Sequence, residues 1–285
     1  MLVVALWSAS PPLSKLTYSE MSPVQVTAIR YGGAALALFP LLWMRSRSTL
    51  WTLEKIDWFQ LVVMGILGFS LGNTVLYIGL KTLPATTTSF LMNGIPIVTV
   101  ILGAVTLREK PRWLQWVGML MAIIGGLIFF GGKIEILQMK AVGLSLLGVV
   151  LISIYGLLAR SMTRSGRIDP VSLSAIPMGI GSIFLFIFGW PIPLPSWRII
   201  GILVWLTLIN SAIAFVIWNN ALKYMQAFEI SITANLMPIG TALLAPIILG
   251  ESVSGMAWLG MVISLIGVVL VGIGGRSIPI KSRVV

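Results

Sequence analysis

Long uninterrupted apolar runs dominate this chain and decide what it can fold into. Val24–Met44, Ile199–Trp218 and Trp258–Gly275 approach or reach the roughly 20 residues that a helix needs to span a bilayer. Only helices and closed barrels satisfy their backbone groups in lipid, and barrel strands alternate apolar with polar side chains. Because these runs do not alternate, the sequence predicts an all-α integral membrane protein. A charged fraction of 9% agrees, since soluble domains carry about 25%.

Proline-containing breaks divide the chain into ten predicted helices, with ends good to about four residues. They cover residues 2–16, 24–44, 57–80, 84–107, 111–131, 141–161, 170–190, 198–222, 226–249 and 254–275. With a cytoplasmic N-terminus, 13 of the 19 Lys and Arg lie in inner loops, five in outer loops and Arg30 in a span. The positive-inside rule then predicts a multi-pass protein of the plasma (bacterial inner) membrane with both termini cytoplasmic. This bias accounts for most of the net charge of +11, so nucleic acid is not an expected partner.

The second half of the chain repeats the first at an offset of 142 residues. Between Leu80 and Gly132, 17 of 53 gapless positions are identical to their counterparts. Each repeat holds five predicted spans, an odd number, so the second copy would enter the membrane upside down. The sequence therefore predicts a first five-helix repeat at 1–133 and a second, inverted five-helix repeat at 134–285, an arrangement found in many secondary transporters.

Small residues recur at matching places in the two halves. Gly118 with Gly125, and Gly260 with Gly267, each share one helix face and permit close helix approach. We expect the fifth and tenth helices to pack together and to join the halves. The alternative is that this face meets lipid or a second copy of the chain, although a monomer is favoured over a homodimer.

The order of these features resembles the EamA family of the drug/metabolite transporter superfamily. The pattern is Tyr77-Ile-Gly-Leu-Lys81, Pro96, Glu109, Gly118 and Gly125, repeated as Asn219-Asn-Ala-Leu-Lys223, Pro238, Glu251, Gly260 and Gly267. The opening Trp7-Ser-Ala-Ser, followed by Arg30 in the second span, also looks like the start of such a repeat. The resemblance implies a ten-helix inverted-repeat carrier, usually an exporter of small metabolites or of amino acids, aromatic ones included.

Two matching stripes of polar residues and proline lie on the predicted fourth and ninth helices. The first consists of Ser89, Asn93 and Pro96, and the second of Ser231, Asn235 and Pro238. Each proline is expected to kink its helix and to free the carbonyl four residues back, at Met92 and Ala234. The stripes either bind a polar substrate or make hydrogen bonds between helices. The two interpretations are compatible, since a kink can open a cavity.

A second group of candidate substrate-binding residues combines aromatic rings with amide and hydroxyl groups. It contains Trp7, Ser10, Asn73, Tyr77, Tyr155, Trp218 and Asn219. An aromatic box beside Asn suits an amphipathic substrate that carries a ring. The alternative is that these residues only pack the interior and anchor the helices at the membrane interface.

Charged residues near or inside the spans are the remaining candidates. Arg30 either pairs with a substrate carboxylate, or reaches the outer interface or Glu20. Glu229, the only acid inside a predicted span apart from Asp57 at the very start of the third, is the candidate for proton coupling, and movement without a coupling ion stays open. Glu109 and Glu251 are expected to complement the positive N-terminus of the helix that follows each of them.

Together these features predict a secondary transporter that exports small organic metabolites, amino acids first among them, by alternating access between the repeats. The alternatives are a multidrug or nucleotide-sugar carrier and, remotely, a membrane protein that transports nothing. A nucleotide-sugar carrier should place several cations in the membrane, and only Arg30 is available. The chain has no Cys, no His and no Walker-type loop, so neither an enzyme, a metal nor a cofactor is expected.

Overall fold

The structure, a computed structural model, describes residues 1–45, 47–106, 111–131, 136–224 and 233–274. In this part of the chain, helices are joined by short turns. They are α1 Leu2–Ser8, α2 Ser10–Thr17, α3 Pro23–Arg45, α4 Arg47–Thr52, α5 Lys55–Val63, π1 Met64–Gly72, α6 Asn73–Thr82, α7 Ala85–Leu91, α8 Gly94–Thr106, α9 Trp113–Phe130, α10 Ile136–Ser165, α11 Pro170–Gly189, α12 Trp197–Val204, π2 Trp205–Ile213, α13 Ala214–Ala221, α14 Met237–Leu249 and α15 Gly255–Gly274. Eight stretches among the described residues are long and apolar enough to cross a membrane. The predicted all-helical membrane class is confirmed for the described chain.

Two long helices each contain a nine-residue π-helical segment at a matching place in the sequence repeat. The segment π1 joins α5 to α6, and π2 joins α12 to α13. Such segments widen a helix locally and are frequent at functional sites. Asn73, directly after π1, donates from Nδ2 to the Gly68 carbonyl oxygen at 2.8 Å. This predicted substrate-binding amide is therefore engaged by its own helix.

The helices that carry the two proline stripes are interrupted at the asparagines. Between α7 and α8 the chain leaves the helix at Met92 and Asn93, and before α14 it turns at Asn235. Pro96 was expected to leave the carbonyl oxygen of Met92 free. The oxygen is instead paired, because the Ile95 N–H donates to it at 3.0 Å. A tighter turn thus replaces the hydrogen bond that proline removes.

The glycine pairs bring α9 and α15 into backbone contact. A Cβ added to Gly125 would lie 2.6 Å from the Gly260 carbonyl oxygen, and one added to Gly267 would lie 2.5 Å from that of Gly118. The expected packing of these two helices is confirmed. Since the higher-numbered glycine of each helix meets the lower-numbered glycine of the other, the two helices run antiparallel.

The second and seventh predicted spans, α3 and α11, are also antiparallel neighbours. A Cβ on Gly189, at the end of α11, would lie 3.5 Å from Val24 at the start of α3. A Cβ on Gly179, nearer the start of α11, would lie 3.6 Å from the Cβ of Ala35. In two cases, therefore, a helix of the first repeat runs antiparallel to the helix at the matching place in the second repeat.

A partly buried ion pair ties the end of α2 to the segment between α14 and α15. Lys15 Nζ lies 2.7 Å from Glu251 Oε1 and donates to the Leu83 carbonyl oxygen at 2.8 Å. Glu251 Oε2 accepts from the Ala85 N–H at 2.8 Å. The expectation that Glu251 serves the following helix is wrong, since it serves the start of α7, and Ser254 Oγ accepts from within α15 instead. Glu109 lies outside the described residues.

Candidate substrate site

An enclosed guanidinium lies among α2, α3, α6 and π2. Arg30 of α3 is 2% exposed. Its Nε donates to Ser211 Oγ at 2.7 Å, and Nη2 donates to Asn210 Oδ1 at 3.0 Å. Its Nη1 donates to Ser10 Oγ at 2.8 Å and to Tyr77 Oη at 2.7 Å. All four partners are neutral, and no carboxylate of the described residues forms an ion pair with this charge.

Arg30 therefore neither reaches the interface nor pairs with Glu20, and both of those expectations are wrong. Glu20 instead accepts from the Ser196 hydroxyl at 2.7 Å and from the Ser196 N–H at 2.6 Å. These hydrogen bonds, the hydroxyl first, lower the pKa of the Glu20 carboxyl. The two charges belong to separate networks.

The segment π2 positions the Arg30 partners and is itself held by α1. The carbonyl oxygen of Asn210 accepts from Trp7 Nε1 at 3.0 Å, and Asn210 Nδ2 donates to the Leu6 carbonyl oxygen at 2.6 Å. With Nδ2 committed to Leu6, Oδ1 of the same amide faces Arg30. A carbonyl displaced from the α-helical ladder by the π turn is thus used to hold two helices together.

Six aromatic rings form a continuous cluster beside the guanidinium. They are Trp7, Tyr31, Phe69, Tyr155, Phe215 and Trp218. Arg30 Cζ lies 5.4 Å from the ring centre of Tyr31, which lies 4.9 Å from that of Phe69. Phe69 in turn lies 5.0 Å from Tyr155 and 5.1 Å from Phe215. A cationic group and a cluster of aromatic rings therefore adjoin, a combination suited to an amphipathic ring compound.

The predicted group of ring and amide residues is only partly brought together. Ser10 and Tyr77 bind Arg30, whereas Trp7, Tyr155 and Trp218 belong to the aromatic cluster. Asn219 is fully buried, and its Nδ2 donates to Ser174 Oγ at 2.9 Å. The Tyr155 hydroxyl lies next to this amide, but the two do not meet in hydrogen-bonding geometry.

Ser89 of the first proline stripe is buried where α7 meets α14. Ser89 Oγ lies 3.0 Å from Thr241 Oγ1, which also lies 2.9 Å from the carbonyl oxygen of Ser8. Asn93 is 4% exposed, and its Nδ2 has no hydrogen-bond partner among the described residues. Asn235 is also buried. Of the other predicted site residues, Ser231 and Glu229 lie outside the described residues.

Sequence reasoning missed Asn210 and Ser211, the two Arg30 partners contributed by π2. A usable signal was present, because an Asn-Ser pair in the middle of a continuous apolar run is costly unless it is hydrogen-bonded. The rings of Tyr31, Phe69 and Phe215 gave no comparable signal, since aromatic residues are ordinary constituents of a span.

Comparison with known proteins identifies a family. The model of the EamA-like transporter family matches residues 1–131 and 139–273. An uncharacterised transporter of Bacillus subtilis is 25% identical over 90% of this chain and 86% of its own length. A Chlamydia trachomatis protein named as an S-adenosylmethionine/S-adenosylhomocysteine transporter is 26% identical over 87% of this chain and 80% of its own. A crystal structure with 18% identity shares the fold, with a TM-score of 0.70 over 94% of this chain and 93% of its own.

Proposed function

Since the chain belongs to the EamA-like transporter family and is a membrane transporter of that kind, we propose that it exports amino acids and related small metabolites. Its substrate carries a carboxylate and a ring, and moves by alternating access through a cavity between the two halves. The observation that carries this proposal is the buried Arg30, held by four neutral groups and adjoining six aromatic rings.

The chemistry of the guanidinium favours an anionic group on the substrate. A buried charge is unfavourable unless it is compensated, and hydroxyl and amide oxygens compensate it only in part. A carboxylate that displaces the neutral acceptors from one edge of the guanidinium can accept two parallel N–H groups, a stronger interaction than bonds to neutral acceptors. The rings next to Arg30 would then stack against the apolar part of the same molecule.

The packing of the helices supports alternating access between residues 1–133 and residues 134–285 as two inverted five-helix halves. Antiparallel crossing of α9 with α15, and of α3 with α11, is what two copies of opposite orientation would produce. Inverted repeats allow one set of contacts to open on either side of the membrane by the rocking of one half against the other.

The charges and chemical groups of the substrate distinguish two other substrate classes. Among the described residues Arg30 is the only buried cation, which disfavours a nucleotide sugar with its two phosphates. S-adenosyl compounds, named for the Chlamydia trachomatis relative, carry an amino-acid carboxylate and an aromatic base, so they fit the same combination of groups.

The test is substrate counterflow in proteoliposomes with amino acids, S-adenosylhomocysteine, sugars and aromatic cations, with and without a proton gradient. We expect ring-bearing amino acids or S-adenosylhomocysteine to exchange and sugars not to. Arg30→Lys keeps the charge but loses the planar fork, so it should raise KM about tenfold or more. Transport without any dependence on the gradient would exclude a proton relay through Glu229.

Arg198→Gln is the matched control, because Arg198 is an exposed arginine at the start of α12. It should leave exchange unchanged. Full exchange of acidic substrates by both Arg30→Lys and Arg30→Gln would contradict the proposed role of Arg30.

A further inference from the structure

Two buried oxygen atoms at the aromatic end of the site have no hydrogen-bond partner among the described residues. They are Asn219 Oδ1 and Tyr155 Oη. Asn219 is fully buried, and Tyr155 is 8% exposed. Leaving such groups unsatisfied in a low-dielectric interior is unfavourable, and each case in a native protein calls for an explanation.

The neighbours of the Asn219 amide favour one of its two orientations. Ser174 Oγ donates its only proton to the Pro170 carbonyl oxygen at 2.8 Å. It can therefore only accept at its contact with Asn219, which places Nδ2 there at 2.9 Å. Turning the amide over would set two acceptors against each other. While the Ser174 hydroxyl donates to Pro170, the Asn219 carbonyl oxygen stays without a partner among the described residues.

The Tyr155 ring is linked to the guanidinium through two other rings of the cluster. Tyr155 packs edge-on against Phe69, whose other neighbour, Tyr31, contacts Arg30. Asn219 lies one helical turn beyond Phe215 on α13 and so shares its face. A ring compound whose carboxylate meets Arg30 would direct the opposite edge of its ring toward Tyr155 and Asn219.

We propose that Tyr155 and Asn219 form a hydrogen-bonding subsite for a donor group on the ring of the substrate. The subsite rests on the proposed function, in which Arg30 binds the acid group. It selects rings that carry an O–H or N–H, such as a phenol, an indole or an aminopurine, over rings of carbon and hydrogen alone. Sites with buried polar groups discriminate strongly against an analogue that lacks the matching donor.

Counterflow competition between tyrosine and phenylalanine tests the subsite, because the two differ by one hydroxyl. In the parent protein we expect tyrosine to compete at least about tenfold better than phenylalanine. Asn219→Leu and Tyr155→Phe should each bring this ratio close to one while phenylalanine is still carried. Asn220→Leu is the matched control, since Asn220 is the exposed neighbour on the same helix, and it should leave the ratio unchanged.

A ratio near one in the parent protein, or a ratio that neither variant changes, would overturn the subsite while leaving the Arg30 proposal intact. If only S-adenosylhomocysteine is carried, its analogue without the purine amino group takes the place of phenylalanine in the same comparison. Failure of every acid-bearing ring compound to compete would overturn the proposed function itself, and the subsite with it. The ratio of tyrosine to phenylalanine competition thus tests the subsite, whereas the absolute exchange of acid-bearing ring compounds tests the proposed function.

Discussion

Arg30 depends on neutral groups because no described acid offsets its charge. Its contacts show that one amide does two tasks: Asn210 accepts from the guanidinium and also donates to the Leu6 carbonyl oxygen. A side chain placed in this way links three elements, α1, α3 and π2. Removing it leaves unpaired groups on both sides.

Replacing Asn210 with Leu tests this linkage. The substitution leaves an Arg30 N–H and the Leu6 carbonyl oxygen without these partners, so we expect the free energy of unfolding to fall by about 1–3 kcal/mol. The measurement is the thermal midpoint of the detergent-purified protein, followed by tryptophan fluorescence. Asn220→Leu provides the comparison, because the same change at an exposed position removes no buried contact. Equal midpoints for the two variants would show that Asn210 is dispensable.

The sequence could single out Arg30, Ser10 and Tyr77 because a charge or a polar ring in a span is unusual. It could not predict that they meet Asn210 and Ser211. These contacts join residues 180 and 181 positions apart, and no local periodicity encodes such a distance. The unpaired oxygens of Tyr155 and Asn219 likewise emerge only when the neighbours of each group are known.

At the scale of helices, small residues set how closely α9 and α15 approach. A methyl group on Gly125 would lie 2.5 Å from the Ser264 backbone nitrogen, whereas one on Gly126 would meet only a Phe90 ring carbon at 3.9 Å. Backbone cannot move aside as a flexible side chain can. A side chain at position 125 is therefore excluded by the backbone of the neighbouring helix, whereas one at position 126 is not.

Gly125→Ala and Gly126→Ala differ only in that contact, and together they test it. We expect Gly125→Ala to destabilise the protein by about 1–3 kcal/mol, because the added methyl overpacks the interface. Gly126→Ala should be neutral or stabilising by about 0.5–1 kcal/mol, since alanine is the better helix former. Thermal unfolding of both variants in detergent gives the comparison. Similar changes at both positions would show that the backbone contact at Gly125 does not decide the effect.

The ion pair between Lys15 and Glu251 joins α2 to the segment before α15, and we expect it to restrict access from the outer side. Ser14, the residue before Lys15, is buried and its hydroxyl has no partner among the described residues, so Ser14→Cys should be tolerated. With Glu251→Gln in the same chain, labelling of this cysteine by an externally added impermeant thiol reagent should rise severalfold. Unchanged labelling would show that the ion pair does not restrict access.

Apolar runs and prolines in the sequence predicted the positions of the helices, but they did not predict the π-helical segments. Uniformly apolar stretches such as Met64–Gly72 place hydrophobic residues on every face, so their pattern does not distinguish α from π geometry. The role of Glu251 was missed for a related reason. A carboxylate between two helices suggests the nearest N-terminus along the chain, whereas its partner Ala85 is near only in the folded molecule.

Over the whole molecule, the inverted arrangement makes a prediction that no single helix can make. The turn after α2 and the turn after α10 occupy matching places in the two halves. Opposite orientation would put them on opposite sides of the membrane, with the first outside and the second inside if both termini are cytoplasmic. Two halves of the same orientation would put both turns on one side.

Ser19 and Ser165 mark these two turns and are well matched for the test. Both are exposed, and each hydroxyl donates to the carbonyl oxygen three residues earlier. The chain has no cysteine, so Ser19→Cys or Ser165→Cys creates a unique label. An impermeant maleimide added to intact cells should label Ser19→Cys alone, and both variants should react after permeabilisation. Labelling of both or neither in intact cells would contradict inversion, whereas labelling of Ser165→Cys alone would keep inversion and reverse the proposed orientation.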